Sequence, residues 1–75
     1  MYKVYVKTNE AGDITAINSD AFLPEPVPEG WILIDEGSED KYRHAQSNYL
    51  LGGLWNEDCT EYRYRLVNGA PELKD

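Results

Sequence analysis

Few residues in this chain have the chemistry to act at a site. They are one histidine, His44, one cysteine, Cys59, and the carboxylates Asp35, Glu36, Glu39 and Asp40 just ahead of the histidine. His44 and Cys59 are the one pair that could act as base and nucleophile, because a thiol needs a neighbouring imidazole to be activated. They stand fifteen residues apart with no surrounding motif, and the chain has no glycine-rich phosphate loop, paired-histidine motif or Cys-x-x-Cys. Cys59 lies among Glu57, Asp58 and Glu61, surroundings that disfavour a reactive thiolate, so it reads as filler or an inert surface thiol. No catalytic residue is assigned, and the chain reads as a protein that is not an enzyme.

Carboxylates with an imidazole suit hard or borderline cations. Asp35 to His44 span ten residues, but their spacing does not follow an EF-hand loop. Asp40 and His44 stand at i and i+4, so on a helix they would share a face, as a metal pair or as an ordinary surface contact. The simpler reading is a solvated acidic turn that caps a helix. No metal and no cofactor are expected.

Tyr62-Arg63-Tyr64-Arg65 joins residue types that stack on nucleic-acid bases. In a strand, however, alternation puts both tyrosines on one face and both arginines on the other. The formal net charge is −7, with −3 over residues 1–34, −5 over 35–61 and +1 over 62–75. Such a balance repels phosphate and anionic membrane alike. The partner expected is therefore a protein surface, with no nucleic acid and no membrane.

These residues need a scaffold, and at 75 residues there is room for one domain, 1–75. Nine aromatic residues suggest a core built from rings, with Trp31 and Tyr64 packed between strand and helix. A single cysteine cannot form an internal disulfide, and no signal-like segment opens the chain, so synthesis in the cytoplasm is expected.

Tyr2 to Thr8 alternates with period two and Ile14 to Ser19 is rich in β-formers. With the Asn9–Asp13 turn between them, residues 1–19 read as a β-hairpin. Prolines 24, 26 and 28 make 20–30 a stiff, extended connection. Trp31 to Ile34 is an unbroken apolar run, and 31–35 reads as a central strand apolar on both faces. Ser38 is placed to cap a helix over 38–50, with Tyr42, Ala45 and Tyr49 as its apolar stripe and Gly52-Gly53 as its stop. Asn68-Gly69 is the strongest hairpin signal and centres a C-terminal hairpin over 62–73. The fold class expected is α+β: a small, mainly antiparallel sheet of three to four strands with one helix packed on it.

Three stretches form a recognisable series: Trp31 with Ile34-Asp35-Glu36-Gly37, Asp40-Lys41-Tyr42 through Asn48-Tyr49, and Tyr62 through Asn68-Gly69 to Pro71. Together with the opening Tyr2–Thr8 strand they resemble small uncharacterised prophage proteins encoded among the tail-fibre and baseplate genes of Gram-positive bacteria. The resemblance covers nearly the whole chain, yet its motifs are turns, caps and rings, and it carries over no site residues. It implies a non-enzymatic, phage-derived protein, a tail-associated structural or accessory component acting by protein–protein contact, with association to a virion. The alternative is a small acidic phage inhibitor of a host defence protein. The candidate interaction surface is Trp55, Tyr5, Arg63 and Arg65. Self-association into a homo-oligomer, through the edge of the first hairpin or the aromatic surface around Trp55, is a further expectation.

Overall fold

The structure is a computed structural model, and residues 1–74 are described. Strand β1 (Tyr2–Thr8) places Val4 and Val6 in the core with no exposure, as its alternation requires. The turn that follows is built by Asn9, whose Oδ1 accepts the N–H groups of Ala11 and Asp13 at 3.0 Å each. Gly12 supplies the positive φ of +86° that this turn needs. Strand β2 (Ile14–Ser19) then returns antiparallel to β1 and buries Ile14, Ile17 and Ser19. The hairpin over 1–19 is as expected.

The connection over 20–30 is not simply extended. It opens on a tight turn in which Phe22 and Leu23 both donate to the Ser19 carbonyl at 3.1 Å, and its Glu25–Pro26 bond is cis. Strand β3 (Ile32–Gly37) pairs antiparallel with the other side of β1, giving the order β2-β1-β3. The strand expected over 31–35 therefore starts one residue later, runs two further and lies at an edge rather than the centre. The pairing steps from Val4–Asp35 to Tyr5–Leu33 and leaves Ile34 without a partner. This bulge lets Ile34 pack on the core while Leu33 stays 52% exposed. An unbroken apolar run did not mean burial on both faces.

The single helix expected over 38–50 is replaced by two short helices, α1 (Asp40–Arg43) and α2 (Ala45–Asn48). Glu39, not Ser38, stands at the first N-cap, with no side-chain bond to the helix. The break is at His44, with φ −99° and ψ 46°. Its cause is local competition for one carbonyl. The Ser19 hydroxyl donates to the Arg43 carbonyl at 2.5 Å, and the Ser47 N–H turns instead to the His44 carbonyl at 3.0 Å. Tyr42, Ala45 and Tyr49 still meet the core despite the break. Gly52 and Gly53 end the segment at φ +80° and +82°.

Strands β4 (Tyr64–Val67) and β5 (Ala70–Leu73) form a separate two-stranded antiparallel sheet. Its turn is Asn68-Gly69, both at positive φ, as the hairpin signal demands. The expected single sheet is thus two sheets, of three and two strands, with two short helices. The sheets touch at the first turn: Leu66 N–H donates to the Gly12 carbonyl at 2.9 Å, and Asp13 bridges to Arg65.

The buried core is Val4, Val6, Ile14, Ile17, Ala45, Leu50 and Tyr64, with Tyr42 and Tyr49 against it. It is mainly aliphatic, contrary to a core of rings. Tyr64 is in it, but Trp31 is not: it is half-buried, with the Lys7 ammonium 5.0 Å from its ring centre. Among the described residues no helix is long and apolar enough to cross a membrane.

Candidate functional site

The four candidate surface residues do not form one patch. Tyr5 lies on β1 between Val4 and Val6, so its ring leaves the face opposite the core, beside its partners Asn18 and Leu33. Arg65 is exposed on β4 and bridges to Asp13 at the first turn. Trp55 and Arg63 do come together, through Tyr62.

That assembly is built by a compact loop. Asn56 Oδ1 accepts the Thr60 N–H at 2.9 Å and the Glu61 N–H at 3.4 Å, while the Asn56 N–H donates to the Glu61 carbonyl at 3.0 Å. The loop brings Trp55 opposite Tyr62 as an isolated β-bridge, and the rings stack at 4.3 Å with 27° between their planes. Trp55 remains 43% exposed. Arg63 is fixed next to it: its N–H donates to the Leu54 carbonyl at 2.7 Å, and its guanidinium lies against Gly52. The Tyr64 hydroxyl donates to the Leu51 carbonyl at 2.8 Å, tying the same loop to the core. Tyr62 was missed as a surface residue because alternation placed it with Tyr64 on an inner face. Its partner is nearby in sequence, and the Asn56 turn that joins them left no pattern of strand residues.

Cys59 is exposed, in this loop, at φ +55°. His44 lies at the helix break, with its ring 5.5 Å from that of Phe22.

In the acidic turn two of the four carboxylates, Asp40 and Asp35, have partners. Asp40 Oδ1 is 3.5 Å from His44 Nε2, and its Oδ2 accepts from Asn48 Nδ2 at 3.3 Å. Asp35 Oδ1 accepts the Glu36 N–H at 2.8 Å, and its Oδ2 accepts the Tyr49 hydroxyl at 2.7 Å. Burial, then the Asp35 hydrogen bond and charge, push the Tyr49 phenol well above the ordinary tyrosine range. Among the described residues no group of three or more His, Cys, Asp or Glu side chains is placed to hold a metal ion.

Asp13 is engaged in the same way at the junction of the sheets. The Lys74 ammonium stands 3.2 Å from its Oδ1, off the hydrogen-bonding direction, so the contact is an ion pair. Lys74 holds the Asp13 carboxyl below its ordinary value; Asn9 and Arg65 act the same way, against partial burial.

Two concavities flank Lys74 and Leu73 on the C-terminal hairpin. One, of about 420 Å³, is bounded by Arg65, Val67 and Glu72; the other, of about 270 Å³, by Asn56, Glu61, Tyr62 and Arg63. Both are open and shallow in charge contrast, since each mixes basic and acidic side chains.

Comparison with protein-family models, with curated proteins and with solved structures gives no match.

Proposed function

We propose that this chain is a non-enzymatic, phage-derived protein that works by protein–protein contact, as a structural or accessory component of a phage tail. The observation that carries the contact reading is the Trp55–Tyr62 stack, which leaves the Trp55 ring 43% exposed. Tryptophan, tyrosine and arginine dominate binding energy at protein interfaces, and a pre-ordered ring loses little freedom on binding. Trp55, Tyr62 and Arg63 stand side by side on a loop held by Asn56. Leu51, 82% exposed, leads into the same loop. The phage assignment rests on the resemblance of the sequence.

The rival reading is an acidic inhibitor that imitates nucleic-acid charge. It needs free carboxylates laid out along one face. Within the acidic turn, two of the four carboxylates, Asp35 and Asp40, are taken up by Tyr49, the Glu36 N–H, His44 and Asn48. That weighs against mimicry.

Particles purified from an induced lysogen carrying this gene test the proposal. Quantitative mass spectrometry should find the chain at a fixed ratio to tail proteins. Recovery only outside particles, bound to a host protein, would favour the inhibitor.

A further inference from the structure

We propose that β3 is a latent self-pairing edge held shut by the acceptor oxygen of the Asp35 side chain, and that a second copy of this chain is what it takes when that acceptor is removed. The inference does not depend on what the protein binds.

Asp20 N–H donates to the Lys3 carbonyl, so the backbone groups of Lys3, Tyr5 and Lys7 face β2. Those of Tyr2, Val4 and Val6 face β3, where they meet Gly37, Asp35 and Ile32. Leu33 and Glu36 are therefore left with their backbone groups on the open side. An open edge with apolar side chains pairs readily with another strand, and proteins blunt such edges with charges and bulges. β3 has the apolar content, with Ile32 41% and Leu33 52% exposed. It also has the blunting devices: the bulge at Ile34, and Asp35 Oδ1 on the outward Glu36 N–H at 2.8 Å.

The opposite edge is treated alike. On β2 the outward Ser19 N–H donates to Asn18 Oδ1 at 2.9 Å, and the Ser19 carbonyl takes the N–H groups of Phe22 and Leu23. Both open edges thus carry an Asn or Asp side chain on the N–H of the next residue. β1 is central, so β2 is the outer strand of the hairpin, and this cap covers it at Ser19.

Charge complementarity favours a second copy over an unrelated strand. An antiparallel β3–β3 pair centred on Leu33, with the bulge at Ile34 taking up one extra residue, brings Glu36 of one copy opposite Trp31 of the other. The Lys7 side chain runs beside Gly30, with its ammonium over Trp31. A two-fold axis makes that contact twice.

Amide hydrogen exchange on the wild-type chain tests the seal directly. Glu36 N–H should exchange several-fold more slowly than Leu33 N–H; equal rates would overturn the proposal. Sedimentation across a wide concentration range tests the latent edge. Wild type and Asp35→Asn, which keeps an oxygen acceptor, should remain monomeric, whereas Asp35→Val should double in mass as concentration rises. Tyr49→Phe loses only the second Asp35 bond and should stay monomeric. A folded Asp35→Val that remains a monomer, or a Tyr49→Phe that dimerises as fully, would overturn it. If Asp35→Val does not fold, the wild-type exchange rates decide.

Discussion

The Tyr42 ring lies against the backbone of Gly37, so that a methyl group at position 37 would occupy the space of the ring. The last residue of β3 is thereby keyed to the first helix. Gly37 is buried and not at positive φ, so alanine meets no backbone strain there. On chain entropy alone Gly37→Ala would stabilise by a few tenths to about 1 kcal/mol. Overpacking costs about 1–3 kcal/mol and should win. Urea denaturation of Gly37→Ala should show a lower midpoint at unchanged slope. A raised midpoint would mean that the ring moves aside freely.

Ser19 is fully buried, and its hydroxyl bond to the Arg43 carbonyl fixes where α1 ends. Ser19→Ala removes this bond, a net loss of about 0.5–1.5 kcal/mol. The same change should free the Arg43 carbonyl for the Ser47 N–H, so helical circular dichroism should rise per folded molecule. Lower stability without added helix would show that the break at His44 has another cause.

Both turns were legible in the sequence because glycine and Asn-Gly state a backbone requirement directly, as Gly12 and Asn68-Gly69 confirm. The strands of the first hairpin were legible from the period-two alternation of Tyr2 to Thr8 and the β-formers of Ile14 to Ser19. The helix was not, because the apolar stripe of Tyr42, Ala45 and Tyr49 reports which side is covered, not whether the backbone between them is continuous. The break depends on Ser19, twenty-four residues from Arg43. β3 misled in a similar way: its apolar run was read as two buried faces, whereas a bulge puts Ile34 inside and Leu33 outside. Of the surface residues, Trp55 and Arg63 belong together through Tyr62, a neighbour that only the Asn56 turn could reveal.

The two rings expected to share the core should now part company. Tyr64 is 8% exposed and central, so Tyr64→Ala should cost about 3–5 kcal/mol, enough to unfold a domain this small. Trp31 is outside the core, where its one ordered charge contact is Lys7 at 5.0 Å. Trp31→Ala should therefore cost about 1 kcal/mol or less. Chemical denaturation of both variants decides the point. Equal losses would return Trp31 to the core.

The Asp13–Lys74 pair makes the junction of the two sheets acid-sensitive. Because the Asp13 value is depressed in the folded chain, its contribution is present above the ordinary carboxylate value of 3.8 and is lost as pH falls through the lower, folded value. Asp13→Asn should be less stable than wild type at neutral pH, with the difference shrinking in strong acid. Thermal melts of both chains from neutral to strongly acidic pH measure this. A difference independent of pH would mean that Asp13 acts by shape alone.

Contact through the Trp55–Tyr62 stack is tested most directly by Trp55→Ala, at a residue 43% exposed and outside the core. The variant should melt within a few degrees of wild type, since a partly exposed ring contributes about 1 kcal/mol. Its incorporation into purified particles should nevertheless fall by tenfold or more, as expected when a dominant interface ring worth about 2 kcal/mol is removed. A folded Trp55→Ala chain that enters particles as efficiently as wild type would contradict the assignment of this surface.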